Sequence, residues 1–199
     1  MNQNIKYLFI KRKLDILISL LLTILLFPII ILSALILIID LKENPIFLQK
    51  RPGYKEKIFT LIKLKTLRSH KGEISLSDNQ RITKISSIIR KLRIDELPQL
   101  INIIKGDMSF IGPRPLLVEY LPFYSSKQRL RHNVRPGITG LAQINGSERL
   151  EFDKRIDFDL KYIENLSFKI DILIIFKTFY YVIGDFYNVV DHNLLPKFK

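Results

Sequence analysis

Residues 90–115, RKLRIDELPQLINIIKGDMSFIGPRP, set two adjacent carboxylates, Asp95 and Glu96, directly behind a basic run of Arg90, Lys91 and Arg93. Pro98 follows, then apolar residues 100–104, then Lys105-Gly106-Asp107 and the stiff corner Gly112-Pro113-Arg114-Pro115. Proline is best tolerated in a first helical turn, so a helix is predicted to begin beside the acidic pair. The positive end of that helix favours carboxylates and is expected to lower their pKa. A low-pKa carboxylate among arginines, with a second carboxylate free for a cation, suits phosphoryl chemistry at a metal. A capped helix with a solvated basic face would gather the same residue types, so the rest of the chain has to decide.

A formal net charge of +13 over 199 residues coexists with a positive mean hydropathy of +0.13. Nucleic-acid binders are more polar, and here aromatic residues are not interleaved with basic ones as a stacking platform needs. The charge therefore points to anionic lipid head groups and phosphorylated substrates. No cysteine is present, so disulfides and cysteine-based zinc sites are excluded, and a cytoplasmic compartment fits. His70, His132 and His192 are scattered and form no spaced ligand pair.

Lys6, Lys11, Arg12 and Lys13 precede an uncharged apolar run, residues 16–39. As a helix it is about 36 Å long, enough for the roughly 30 Å hydrocarbon core. It lacks the short core and small-residue cleavage site of a secretory signal, so a retained membrane element is expected. Pro28 sits in its middle and removes a backbone bond to the carbonyl of Ile24, which predicts a break there. Each half then reaches only mid-bilayer. Length and Pro28 alone leave a kinked spanning helix and a re-entrant helix both open. The positive-inside rule puts the N-terminal cluster in the cytoplasm.

From Pro45 the pattern is that of a globular domain. Residues 46–48 read as a strand, Arg51-Pro52-Gly53 as a turn, and residues 57–66 as a strand carrying Lys63 and Lys65 on one face. Residues 70–79 read as a loop. Ile82, Ile85, Ile89 and Leu92 recur at helical spacing among Arg81, Lys84, Lys91 and Arg93, as in a basic helix lying on a membrane or on the core. Arg135-Pro136-Gly137 forms a second proline corner, whose arginine fork is suited to gripping phosphate. Residues 151–165 predict a helix with Asp157 and Asp159. Residues 168–183 predict an apolar helix too interrupted by charge to span a bilayer.

In order and spacing, KRKLDI, QKRPG, KLKT, RIDELPQL, KGDMSFIGPRPLLVEYLPFY, RHNVRPGITGLAQING and NLSFKIDI resemble the bacterial sugar transferases. The likeness is to the monotopic polyprenyl-phosphate phosphoglycosyl transferases, and most of all to their short members that transfer diacetylbacillosamine-1-phosphate. The chain is too short for the extra N-terminal transmembrane domain of long members. The resemblance implies transfer of a sugar-1-phosphate from a UDP-sugar to polyprenyl phosphate, with release of UMP, as the first membrane-committed step of a surface glycan. Asp95 would be the nucleophile of a ping-pong reaction, and Glu96, with Asp95, would hold Mg²⁺. Arg114 matches the family's phosphate-binding arginine, while Lys63, Arg90 and Asp159 fall on supporting polar positions. The implied fold is an α/β monotopic membrane protein. Residues 1–42 form a re-entrant helix broken at Pro28, and residues 43–199 form a catalytic domain with amphipathic surface helices and a small sheet on the cytoplasmic face of the inner membrane.

Phe27 stands where the family has a serine before the proline, which removes a hydroxyl able to satisfy a freed carbonyl. Ser147 stands where close relatives carry an arginine, which bears on the sugar bound. The glycine-rich basic tail of those relatives is missing. A basic membrane-anchored scaffold of a glycan-assembly complex would share the charge and the apolar run. It gives no reason for two carboxylates beside fixed arginines.

Overall fold

The computed structural model describes residues 3–69, 77–146 and 150–187. It begins with one helix, α1 (Gln3–Leu41), whose backbone assignment runs unbroken through Pro28. Helical hydrogen bonding runs through a proline bend as well as along a straight axis, so the assignment does not show the expected break, and Pro28 remains the point at which α1 can change direction. At 1.5 Å per residue the contour of α1 is about 58 Å, roughly twice the hydrocarbon thickness.

One face of α1 seats on the rest of the molecule. Lys11, Asp15, Ser19, Ser33, Leu37 and Leu41 are buried along it. Most of its apolar surface is bare, including Leu21, Ile24, Leu25 and Leu32. An aliphatic surface of this extent is unfavourable in water, and it marks α1 as the membrane element.

Strands β1 (Ile46–Pro52) and β2 (Ile58–Leu64) form an antiparallel hairpin with Phe47 opposite Lys63. Arg51 and Pro52 belong to β1, so the turn lies later than expected, at Gly53 and the 3-10 turn Tyr54–Glu56. The short helix α2 (Asp78–Arg81) leads to α3 (Lys84–Lys91), which opens on a reciprocal capping box between Thr83 and Ser86. Ile89 of α3 is buried with Leu37, Leu41 and Leu64. Ile85 and Ile88 remain exposed.

Helix α4 (Gln99–Lys105) starts after Pro98, as the sequence predicts. Leu100 and Ile103 pack with Phe59, Leu61 and Met108, and Leu22 of α1 closes that cluster. Each such aliphatic side chain stabilises the fold by about 1.5–3 kcal/mol on burial. The buried Asn102 replaces a neighbouring strand for β2. Its Oδ1 accepts from the Ile62 amide (3.0 Å), and its Nδ2 donates to the Thr60 carbonyl (2.8 Å).

After α4, β3 (Ser109–Ile111) pairs in parallel with β4 (Gly137–Thr139). Between them lie the 3-10 helix Val118–Phe123, α5 (Ser126–Arg129) and the 3-10 turn Leu130–Asn133. Helices α6 (Phe152–Glu164) and α7 (Phe168–Tyr187) follow, close to expectation. Ile174 of α7 is fully buried with Ile111, Leu141 and Tyr162. The fold is thus α/β with a long apolar N-terminal helix and two small sheets.

Candidate active site

The acidic pair owes its direction to a backbone reversal. Arg93 ends α3 in the left-handed region (φ 57°) and turns the chain into the 3-10 turn Ile94–Glu96. A non-glycine residue there costs of order 1–3 kcal/mol, which the surrounding contacts must offset. The reversal drives both carboxylates inward, and Asp95 is 5% exposed.

Cations from three elements converge on the pair. Arg114 donates from Nη2 to Glu96 Oε1 at 3.2 Å, and Arg93 Nη1 lies 3.6 Å from the same oxygen. Lys63 of β2 and Arg90 of α3 stand within electrostatic reach of Asp95. The Lys63 ammonium also sits 5.0 Å from the centre of the Phe47 ring, a cation–π contact that helps fix it.

The two carboxylates are pushed apart in acidity. Burial lifts the Asp95 carboxyl to about 6, and the charge of Glu96 adds to this against Lys63, Arg93 and Arg90. Burial also opposes ionisation of Glu96, but Arg114 and Arg93 outweigh it and hold that carboxyl below its usual range. Burial likewise depresses Lys63, with Asp95 and Glu96 opposing. The sequence predicts two low-pKa carboxylates, and Asp95 departs from this because desolvation exceeds the help of a seven-residue helix.

Asp95 Oδ1 is buried and has no hydrogen-bond partner among the described residues. An orphaned, desolvated carboxylate oxygen is reactive toward an electrophile or a cation. No group of three or more metal-ligating side chains occurs among the described residues. A cation would therefore meet two carboxylates and complete its shell with water or substrate phosphate. That is the usual manner of Mg²⁺, so the pair fits the ion.

Arg114 is held by interlocking backbones. The Gly137 amide donates to the Pro113 carbonyl (3.0 Å) and the Gly112 amide to the Thr139 carbonyl (2.9 Å). A Cβ on Gly140 would lie 2.1 Å from the Gly112 oxygen, so only glycine permits this approach. The interlock parts the two corner arginines. Arg135 donates from Nε to the Gly106 carbonyl (2.9 Å) and lies over the Tyr54 ring. It caps the far end of α4, a helix length of about 10 Å from the acidic pair. The second corner's arginine is thus held at Gly106 and Tyr54 rather than beside the acidic pair.

Asp159 sits behind the corner that carries Arg114. It is 1% exposed and is gripped by Arg131, whose Nη2 donates to the Arg114 carbonyl at 2.8 Å. Asp159 therefore reaches the site through Arg131, a residue that sequence reasoning passed over because its partners are distant in the chain. Lys65 points elsewhere, pairing with Glu43. Ser147 lies outside the described residues.

A model of the bacterial sugar transferase family matches residues 6–185. Over 139 residues the chain is 50% identical to an uncharacterized sugar transferase of Bacillus subtilis, covering 68% of each protein. It is 37% identical to the UDP-N-acetylgalactosamine-undecaprenyl-phosphate N-acetylgalactosaminephosphotransferase of Aeromonas hydrophila, over 86% of this chain and 43% of that protein. It is 36% identical to the UDP-glucose:undecaprenyl-phosphate glucose-1-phosphate transferase of Caulobacter vibrioides, over 84% of this chain and 67% of that one. None of these three names mentions diacetylbacillosamine, the narrower likeness read from the sequence.

Proposed function

Because the chain belongs to the bacterial sugar transferase family, we propose that it is a polyprenyl-phosphate phosphoglycosyl transferase that moves a sugar-1-phosphate from a UDP-sugar to polyprenyl phosphate. The observation that carries this is Asp95: buried, with one oxygen orphaned, and ringed by Lys63, Arg90, Arg93 and the Arg114–Glu96 pair. A carboxyl of pKa about 6 is about nine-tenths ionised at pH 7. It is thus a carboxylate ready to attack, little stabilised by water.

An Asp95 oxygen attacks the sugar-linked phosphorus. The bond from that phosphorus to the bridging oxygen breaks, and UMP leaves with the electron pair. A polyprenyl-phosphate oxygen then attacks the same phosphorus, and the Asp95 carboxylate departs. Two steps let a water-soluble and a lipid substrate use one position in turn. Arg114 and Lys63 bind phosphate oxygens, and their charges oppose the negative charge gathered there. A divalent cation such as Mg²⁺, held by Glu96 and Asp95, would supply further neutralisation of the pyrophosphate.

The bare apolar face of α1 supports a membrane location, where the lipid substrate resides. Both ends of α1 are tied to the same body. Lys11 pairs with Asp171 of α7 at 2.8 Å, and Asp40 accepts from Thr83 at the other end. This supports a helix that enters and leaves by one face, the cytoplasmic face of the inner membrane by the charge rule. Such a chain begins assembly of an exported polysaccharide.

The test is UMP release by the full chain in lipid, supplied with polyprenyl phosphate and a panel of UDP-sugars. Release is expected with wild type, together with a covalent phospho-sugar adduct, and Asp95→Asn should lose both. An adduct that persists in Asp95→Asn removes Asp95 as nucleophile. No release from any UDP-sugar would favour a scaffold.

A further inference from the structure

Past Arg114 the chain runs without regular structure to Leu117, a reach of at most about 10 Å for three residues. There the 3-10 helix Val118–Phe123 and the start of α6 border an open groove of about 500 Å³. It is lined by Leu117, Glu119, Tyr120, Phe123 and Phe152. Tyr120 and Phe152 lie 5.4 Å apart between ring centres, and Phe152 stacks on Tyr124 at 6.0 Å. The platform is therefore rooted in the core cluster of Leu116, Tyr124, Ile156 and Leu160. Phe123 is 79% exposed, and an aromatic surface left open beside a phosphate-binding corner calls for an occupant.

Two polar groups narrow that occupant. Arg51 stands between the corner and the groove, its Nη1 donating to the Pro115 carbonyl (3.2 Å) and its Nη2 to Gln49 Oε1 (2.6 Å). Its Nε–H is buried and has no partner among the described residues, a deficit that an anionic oxygen would remove. Burial first and Arg114 second depress the Arg51 guanidinium, with Glu119 opposing, as befits a side chain set between the two. On the lining, the Glu119 carboxylate can only accept hydrogen bonds when ionised. It suits neutral hydroxyls and repels an anionic lipid surface.

Resting on the donor reading above, we propose that this groove seats the nucleoside half of the nucleotide-sugar. The base lies on Tyr120 and Phe123, the ribose hydroxyls donate to Glu119, and the α-phosphate meets the Nε–H of Arg51. With at most about 10 Å of chain between Arg114 and Leu117, ribose and base can reach the groove from a diphosphate held at the corner. A bilayer would satisfy the aromatic rings and leave the other two groups unexplained.

The experiment measures UMP binding to the full chain in lipid nanodiscs, alongside KM for UDP-sugar and for polyprenyl phosphate. Tyr120→Leu and Phe123→Ala should each weaken UMP at least about fivefold, the lower bound for one base–aromatic stack. KM for UDP-sugar should rise by the same factor, and KM for polyprenyl phosphate should stay unchanged. Tyr120→Phe keeps the ring and should keep UMP affinity, which separates stacking from misfolding. Unchanged UMP affinity in both ring-removing variants overturns the proposal and leaves the transfer reaction standing. A change confined to polyprenyl phosphate or vesicle binding also overturns it and assigns the groove to the bilayer. UMP binding that falls in these variants, with no UMP released from any UDP-sugar, keeps the groove and removes the transfer reaction instead.

Discussion

Arg131 grips Asp159 through Nε at 3.0 Å and Nη2 at 2.6 Å, and both side chains are 1% exposed. The same Nη2 donates to the Arg114 carbonyl, and Nη1 donates to the Tyr124 hydroxyl. A buried pair of this kind adds little net stability over an apolar pair of equal volume, but losing one member leaves a buried charge uncompensated. Its contribution here is positional, since it fixes the backbone from which Arg114 reaches Glu96.

Arg131→Met should therefore lower unfolding free energy by about 3–5 kcal/mol, read by denaturant titration. Arg131→Lys keeps the charge but not the fork, so it should fold more stably than Arg131→Met. It should still raise KM for the UDP-sugar by releasing the Arg114 carbonyl. A lysine variant with wild-type KM would reduce the pair to a structural role.

The raised Asp95 carboxyl, about 6 against an ordinary 3.8, makes both rate and stability depend on pH. As the proposed nucleophile Asp95 acts in its ionised form, so kcat/KM should fall below about pH 6. The stability effect has the opposite sense. Between pH 4 and 6 the folded state holds more protons than the unfolded state, so stability declines as pH rises through that window. The rise from 3.8 to about 6 corresponds to at most about 3 kcal/mol. Asp95→Asn should thus be inactive yet more stable than wild type at pH 7, with the gain vanishing near pH 4. Equal melting at pH 7 would contradict a carboxylate destabilised by burial.

Gly140→Ala and Gly137→Ala each place a Cβ 2.1 Å from a Gly112 backbone atom. Side-chain rotation cannot relieve an overlap with backbone, so the β3–β4 corner must spread. A loss of about 1–3 kcal/mol is expected, as for overpacked cores, and activity should fall as Arg114 moves off Glu96. Thermal melting and UMP release measured together check this, and an alanine variant with full activity would show that the interlock does not set Arg114.

Glu96→Gln removes a charge from the acidic pair while keeping its shape. The magnesium concentration for half-maximal rate should rise more than about tenfold, the lower bound seen even for groups outside a metal's own ligands. A magnesium titration identical to wild type would exclude Glu96 from the metal.

What was legible in the sequence was local. Pro98 gave the start of α4, the helical recurrence through Ile85 and Ile89 gave α3, and strand alternation put Lys63 on β2. What was illegible was set by partners distant in the chain. Arg131 has its carboxylate 28 residues away, and nothing nearby distinguishes it from Arg129. The two proline corners look equivalent as sequence. Only the contact of Gly112 with Gly137 and Gly140 turns Arg114 toward the acids and Arg135 toward Gly106. The Asp95 carboxyl departs from a helix-end argument for the same reason, because burial is a property of the assembled domain.

The same distinction applies to α1, where Pro28 was the local signal and the end contacts are the tertiary one. At the N-terminal end Arg12 donates to the carbonyls of Ile103 and Ile104, and Lys11 pairs with Asp171. At the other end Asp40 accepts from Thr83, and Leu37 and Leu41 pack on Leu64 and Ile89. A helix with a contour of about 58 Å that is fastened at both ends to one body has to bend to bury its apolar run in a bilayer, and it cannot place those ends on opposite sides while the contacts hold. The chain contains no cysteine, so single cysteines at Lys6 and Lys42, both exposed, report each end cleanly. An impermeant maleimide should label both from the cytoplasmic side of oriented vesicles and neither from the other. Labelling from opposite sides would mean that α1 spans, and that the contacts at one end are not formed in the membrane.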